Sequence, residues 1–220
     1  MNCCHCRGIE AFFDKRTADK QLKRYRKKGP AKTTRILIAA LKAEGIDGMT
    51  LLDIGGGVGA VQQELLRAGV SSATNVEAST AYVEVSKEEA ERHGYADRVN
   101  YQHGNFIDAA PTVADADIVT LDRVICCYPD AQALVGLSAA RARHLYGLVY
   151  PQYGWLNKVF VTGANVVFRL RRCAMRSFLH RSDMVDAIVQ SHGLQRRFHR
   201  KSFPWQIVVY SRPVRGETIQ

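Results

Sequence analysis

The 220-residue sequence predicts an α/β fold: a doubly wound, mostly parallel sheet that closes in an antiparallel hairpin and is preceded by a helical extension. Three observations carry that expectation. Apolar runs alternate with helix-length stretches from Thr50 to Tyr150, the rhythm of βαβ units. The run Leu51-Leu-Asp-Ile breaks into Gly55, Gly56, Gly57 and Gly59, then opens a helix. Two strand-like runs separated only by a few residues around Phe203-Pro204 end the chain, and such proximity suits an antiparallel pair.

Residues 1–34 read as an extension or lid before a single domain at 35–220. Within it, Asp19 to Lys28 (DKQLKRYRKK) carries six basic side chains, and Gly29-Pro30 ends the segment because proline disfavours helix in the residue before it. Thr33 or Thr34 is placed to cap a helix through Arg35–Leu41, which Gly45 stops. Buried parallel strands are expected at Leu51–Ile54, Ala73–Val76, Val99–Gln102, Ile118–Leu121 and Leu145–Tyr150. Helices are expected at about 59–68, 80–93 and 130–143. From Tyr153 to Cys173 many apolar residues precede Arg169, Arg171, Arg172 and Arg176. That stretch is expected to cover the sheet or wall an apolar pocket, with an interfacial helix against acidic headgroups as the other reading. A capped helix at Ser182–His192, stopped by Gly193, leads to strands at Leu194–His199 and Trp205–Tyr210.

Charge narrows the partners. With 31 Lys and Arg against 21 Asp and Glu, the net charge is +10, which suits an anionic substrate, nucleic acid or an acidic membrane surface. No apolar run reaches the length of a membrane span, and Met1-Asn-Cys-Cys-His-Cys-Arg lacks the apolar core of a signal peptide, so a cytoplasmic location is expected. The six cysteines fall at Cys3/Cys4/Cys6, Cys126/Cys127 and Cys173, a poor disulfide framework. Cys3, Cys4, His5 and Cys6 have zinc-binding chemistry but no second ligand pair, and no metal site is predicted.

The glycine turn is the first candidate site. Lacking Cβ atoms, Gly55, Gly57 and Gly59 let the backbone approach a nucleoside ligand at the carboxyl end of the first strand. Glu77, about twenty residues on, ends the second strand, where a carboxylate accepts hydrogen bonds from both ribose hydroxyls. Gly55-x-Gly57-x-x-Ala60 also satisfies the dinucleotide fingerprint, so the glycines alone leave the cofactor open.

The wider pattern resembles the class I S-adenosylmethionine-dependent methyltransferases, whose sheet is Rossmann-like. The residues that carry the resemblance are Leu51-Leu-Asp-Ile-Gly-Gly-Gly-Val-Gly59, Val76-Glu-Ala-Ser79, His103-Gly-Asn-Phe106 and Asp117-Ile-Val-Thr-Leu-Asp-Arg-Val124. The resemblance implies S-adenosyl-L-methionine as cofactor, with Gly55, Gly57 and Gly59 beside its methionine part and Asp53 ordering the loop. It implies Glu77 and the adjacent Ala78 at the ribose, Asn105 and Phe106 at the adenine, and Asp122 and Arg123 near the sulfonium. Val124-Ile-Cys-Cys-Tyr-Pro129 and the early Phe13-Asp14 look like their counterparts in magnesium-protoporphyrin O-methyltransferases, where histidine usually occupies the place of Cys127.

Methyl transfer needs positioning, and removal of a proton only where the acceptor requires it. Tyr128, Cys127 and Tyr25 are the catalytic candidates, and Arg26 adjoins Tyr25. A small or medium-sized, partly apolar acceptor is the leading expectation. The basic 20–35 segment supports RNA methylation as an alternative, and a non-catalytic adenosyl-ligand-binding module is the third reading.

Overall fold

A computed structural model describes residues 4–213, with side chains from Gly8 onward, so the Cys3/Cys4/His5/Cys6 cluster lies outside the described side chains. Helices α1 (Cys4–Phe12), α2 (Lys15–Lys28) and α3 (Lys32–Ala43) precede the sheet. Then follow β1 (Thr50–Ile54), α4 (Ala60–Arg67), β2 (Ser72–Glu77), α5 (Thr80–Arg92), β3 (Val99–His103) and α6 (Phe106–Ala109). The second half holds β4 (Ala116–Asp122), α7 (Ala131–Ala140), β5 (Ala142–Pro151), α8 (Trp155–Leu170), α9 (Ser182–Ser191), β6 (Gln195–Ser202) and β7 (Trp205–Ser211).

The strands form one sheet in the order β3-β2-β1-β4-β5-β7-β6, with β7 antiparallel to both neighbours and the other pairs parallel. Strand order reverses between β1 and β4, so a crevice opens at their carboxyl ends. Side chains alternate across the pleat. Leu52, Val119, Tyr146 and Leu148 pack on the α7/α9 face, whereas Leu51, Ile118, Leu145 and Val149 meet Leu37 and Leu41 of α3 on the other. Each such leucine or isoleucine, wholly removed from water, contributes roughly 1.5–3 kcal/mol of transfer free energy.

Three local expectations are corrected. Thr33 and Thr34 do not cap α3: Ala31 is the N-cap and makes no side-chain bond. Thr34 instead points into the protein, where its hydroxyl donates to Asp122 Oδ2 at 2.5 Å. Ser182 does not cap α9 either; Arg181 holds that place, and Ser182 Oγ accepts from Gln206 Nε2 at 2.7 Å. In both cases a long-range polar partner displaces the local one. The third correction is the largest. The apolar stretch after Pro151 does not cover the sheet: it forms α8, in which Asn157 alone is buried, and of its apolar side chains Phe168 is the one that walls a pocket.

Helix α2 folds against α5 and the loop before α4. Asp14 caps α2 by accepting from Thr17 N–H at 2.8 Å, satisfying one of the unpaired donors of the first turn. Ala18, Leu22 and Tyr25 of α2 then pack with Val58, Tyr82 and Val85. Arg26 ties the same helix to α5 through Glu89 at 2.7 Å and Glu88 at 2.8 Å.

Candidate active site

A cavity of about 350 Å³ lies where β1, β2 and β4 end. Its floor is Ile54, Gly55, Gly57, Val76, Glu77 and Ala78; one wall is Asp122–Val124 and Cys126–Tyr128. The roof comes from Ile9, Phe12 and Phe13 of α1 and its exit, Gln21 of α2, Phe168 of α8, and Met175, Ser177 and Trp205. Phe12 and Phe168 meet edge to face with centroids 5.3 Å apart.

The floor is built by backbone. Gly55 and Gly57 have φ of 63° and 57°, a region that side chains with a Cβ rarely adopt. Gly57 N–H thereby turns toward Glu77 and donates to Oε2 at 3.0 Å, while Ser79 N–H donates to Oε1 at 2.9 Å. Burial pushes the Glu77 carboxyl up, and the bonds from Ser79 and Gly57 oppose that shift. A carboxylate has about four acceptor positions, so capacity remains beyond these backbone bonds for a hydroxyl donor in the cavity. The Tyr82 ring forms part of the wall, and its buried hydroxyl has no hydrogen-bond partner among the described residues. The cradle free of side chains, the acceptor-rich carboxylate and the orphaned hydroxyl together suit a ligand that carries vicinal hydroxyls and a polar ring. An adenosyl group has both.

Asp53 lies beneath this floor. It is wholly buried; Thr120 Oγ1 donates to its Oδ1 at 2.7 Å, and its Oδ2 has no partner among the described residues. A Cβ on Gly56 would stand 2.8 Å from that oxygen, so Asp53 supports the turn directly from below. Burial pushes its carboxyl up to about 7, opposed by the Thr120 bond and reinforced by the charges of Asp122 and Glu77.

At the exit of β4, Asp122 accepts from Thr34 and, at Oδ1, from Arg123 Nε at 3.0 Å. Arg123 adopts φ 65°, unusual for a residue with a side chain, and its N–H donates to Val149 O at 2.8 Å. Its guanidinium is the single cation among the described lining residues.

Of the sequence-derived residues, Gly55, Gly57, Glu77, Ala78, Asp122, Arg123, Cys127 and Tyr128 share the cavity wall. The others stand outside it. Gly59 begins α4, Phe106 is a core residue, and Asn105 caps α6 by accepting from Ile107 N–H at 3.3 Å. Asn105 and Phe106, expected at the adenine, are not among the lining residues, and Asn105 Oδ1 also accepts from the Tyr128 hydroxyl at 2.9 Å. Tyr25 is a further correction. Its ring sits in the α2–α5 packing and its hydroxyl donates to Glu64 at 3.1 Å, away from the cavity, and Arg26 is occupied by Glu88 and Glu89.

Among the described residues, the wall holds no imidazole. Burial raises the Tyr128 phenol well above its ordinary range, so it is neutral near pH 7 and acts as a donor. Cys127 is likewise held as a thiol by its bond to Cys126 and by burial, which disfavours the reactive-thiolate reading. Sequence reasoning missed Tyr82, Gln21 and Met175, which occupy unremarkable helix or loop positions and converge only through packing.

Comparison with known proteins follows the same lines. A family model described as an O-methyltransferase domain matches residues 3–142. Among solved structures, magnesium protoporphyrin IX methyltransferase from Synechocystis PCC 6803 with bound SAH is 18% identical, with a TM-score of 0.67 and 83% of each chain covered. An O-methyltransferase family protein from Burkholderia thailandensis is 17% identical, with a TM-score of 0.69 over 94% of this chain and 63% of that one. The mitomycin 7-O-methyltransferase is 20% identical, with a TM-score of 0.60 over 82% of this chain and 54% of that one. No curated protein sequence matches.

Proposed function

The chain belongs to the O-methyltransferase domain family and is an S-adenosyl-L-methionine-dependent methyltransferase; on that premise we propose that it methylates an acidic hydroxyl on a small or medium-sized, partly apolar molecule. The observation that carries this reading is the pairing of Glu77 with the glycine floor inside a largely apolar cavity that also contains Arg123.

Bound S-adenosyl-L-methionine supplies an activated methyl group on a sulfonium. The chain supplies position. Glu77 accepts the ribose hydroxyls, with Ala78 beside them, and Gly55 and Gly57 leave room for the rest of the cofactor. Tyr82 donates its unpaired hydroxyl, and the roof of Ile9, Phe12, Phe13 and Phe168 excludes water. In this reading residues 1–34 serve as the lid.

Proton removal shapes the acceptor. The wall offers two carboxylates, and Glu77 is committed to the turn, which leaves Asp122. Asp122 is itself held by Thr34 and Arg123, a weak arrangement for taking a proton from an aliphatic alcohol. A carboxylic acid arrives ionised and needs no base, whereas a phenol gives its proton to Asp122 or to solvent while the Arg123 guanidinium stabilises the phenolate. The Tyr128 ring, held by the bond its hydroxyl donates to Asn105 Oδ1, forms the wall against which the acceptor packs. A cytoplasmic setting fits the unpaired thiols of Cys126, Cys127 and Cys173.

Calorimetry with S-adenosylhomocysteine is expected to find one site per chain, abolished by Gly57→Arg and weakened about tenfold or more by Glu77→Ala. Unchanged affinity in both variants rejects the cofactor assignment. Incubation with labelled methyl donor and a metabolite extract identifies the acceptor; label confined to amines or to RNA rejects the acidic-hydroxyl reading.

A further inference from the structure

Outside the cavity, the least satisfied surface is the outer side of α8. Trp155, Val159, Val166 and Leu170 recur at i, i+4, i+11 and i+15, and Leu156, Phe160 and Val167 form a second row beside them. All seven are exposed, Trp155 by 72% and Leu170 by 79%. Isolated exposed apolar residues are ordinary, but two adjacent rows along a whole helix are not. The helix is inverted relative to an ordinary surface helix: its polar Asn157 is buried and its apolar face is outside. Asn157 Nδ2 donates to Gln152 O at 2.7 Å and Pro204 O at 2.9 Å. Those bonds hold the β6–β7 hairpin tip, with exposed Phe203, beside the start of α8.

Charge borders the patch. Lys158 and Arg169 lie along one side, with neutral Thr162 between them, and Arg171 and Arg172 follow the helix end, all exposed. No Asp or Glu occurs between Asp130 and Asp183. Among the described residues, no helix is long and apolar enough to cross a membrane.

We propose that this face seats on an anionic lipid bilayer, with the two apolar rows and Phe203 at headgroup depth and the basic side chains on lipid phosphates. An apolar face rimmed by cations and free of acids has the complementarity of an interfacial helix. A second copy fits less well: two such faces apposed about a twofold axis bring basic borders together with no acid between Asp130 and Asp183 to pair them. Seated this way, α8 lies between the bilayer and the cavity, because Phe168 on its inner face lines the cavity. The docking is independent of what is methylated and is measured without cofactor or acceptor.

The test is co-sedimentation of the full chain with phosphatidylcholine vesicles, with and without phosphatidylglycerol. Binding is expected to be about tenfold or more tighter on the anionic vesicles and to weaken as salt rises. Phe160→Asp combined with Val166→Asp is expected to lower binding about tenfold or more while leaving the thermal melt of the protein in place. Arg171→Glu with Arg172→Glu is expected to remove the preference for anionic lipid. Equal retention on neutral vesicles, or none on either, overturns the proposal. So does a dimer in sedimentation velocity that the Phe160/Val166 variant dissolves, or salt-sensitive retention on RNA without retention on vesicles.

Discussion

The buried carboxyl beneath the glycine floor makes a quantitative claim about stability. Asp53 titrates near 7 in the folded protein against an ordinary 3.8. Between those values the folded state holds a proton that the unfolded state has released. Stability therefore falls as pH rises through that window, by up to about 1.4 kcal/mol per pH unit, and the lost stability returns on acidification. The difference of about three units corresponds to roughly 4 kcal/mol as a ceiling, since each unit is about 1.36 kcal/mol. The side chain is wholly buried, so solvent does not screen the effect away, although relaxation of the surroundings lowers it. Asp53→Asn removes the ionisation while keeping an oxygen for the Thr120 hydroxyl. Urea unfolding of both proteins at pH 5 and pH 8 isolates the contribution, because groups common to the two cancel in the difference. The variant is expected to gain on the natural protein by about 1–3 kcal/mol on going from pH 5 to pH 8. A difference that stays constant with pH, or that moves in the natural protein's favour, refutes the reasoning.

Other outcomes follow from the same geometry. Gly55→Ala puts a Cβ 2.6 Å from Val124 Cγ2 at a φ of 63°, so unfolding curves should show a loss of about 1–3 kcal/mol. Adding Val124→Ala should recover only part of that, because the backbone strain remains. Tyr128→Phe removes the bond to Asn105 Oδ1; steady-state kinetics should show a lower kcat with little change in affinity for S-adenosylhomocysteine. Tyr25→Phe loses the bond to Glu64 and should cost about 1 kcal/mol of stability while methyl transfer stays within about twofold of the natural rate.

The legible features were those that local chemistry dictates. The run from Leu51 to Gly59 needed only its own residues to declare a strand, a turn and a helix start, and Glu77 followed from spacing. The end of β5 was legible for the same reason, whereas its start was not: Ala142–His144 looks helical and becomes strand because Ala116 and its neighbours pair with it. Side-chain commitments were the hidden part. Thr34, Tyr25 and Asn105 each have an obvious local or catalytic reading. Each is instead engaged by a residue distant in sequence or facing it across the site, namely Asp122, Glu64 and Tyr128. The orientation of α8 was illegible too, since an apolar face has the same periodicity whether it turns inward or outward.

That helix has an inner face as well, where Phe168 touches Phe12 of α1. A molecule wide enough to part the two rings must displace one helix or the other, and α8 also bears the outward rows. If it is α8 that gives way, whatever free energy the outward face gains by attachment is coupled to entry at the roof. Reciprocity fixes the size of the exchange: the factor by which an entering molecule alters attachment is the factor by which attachment alters its entry.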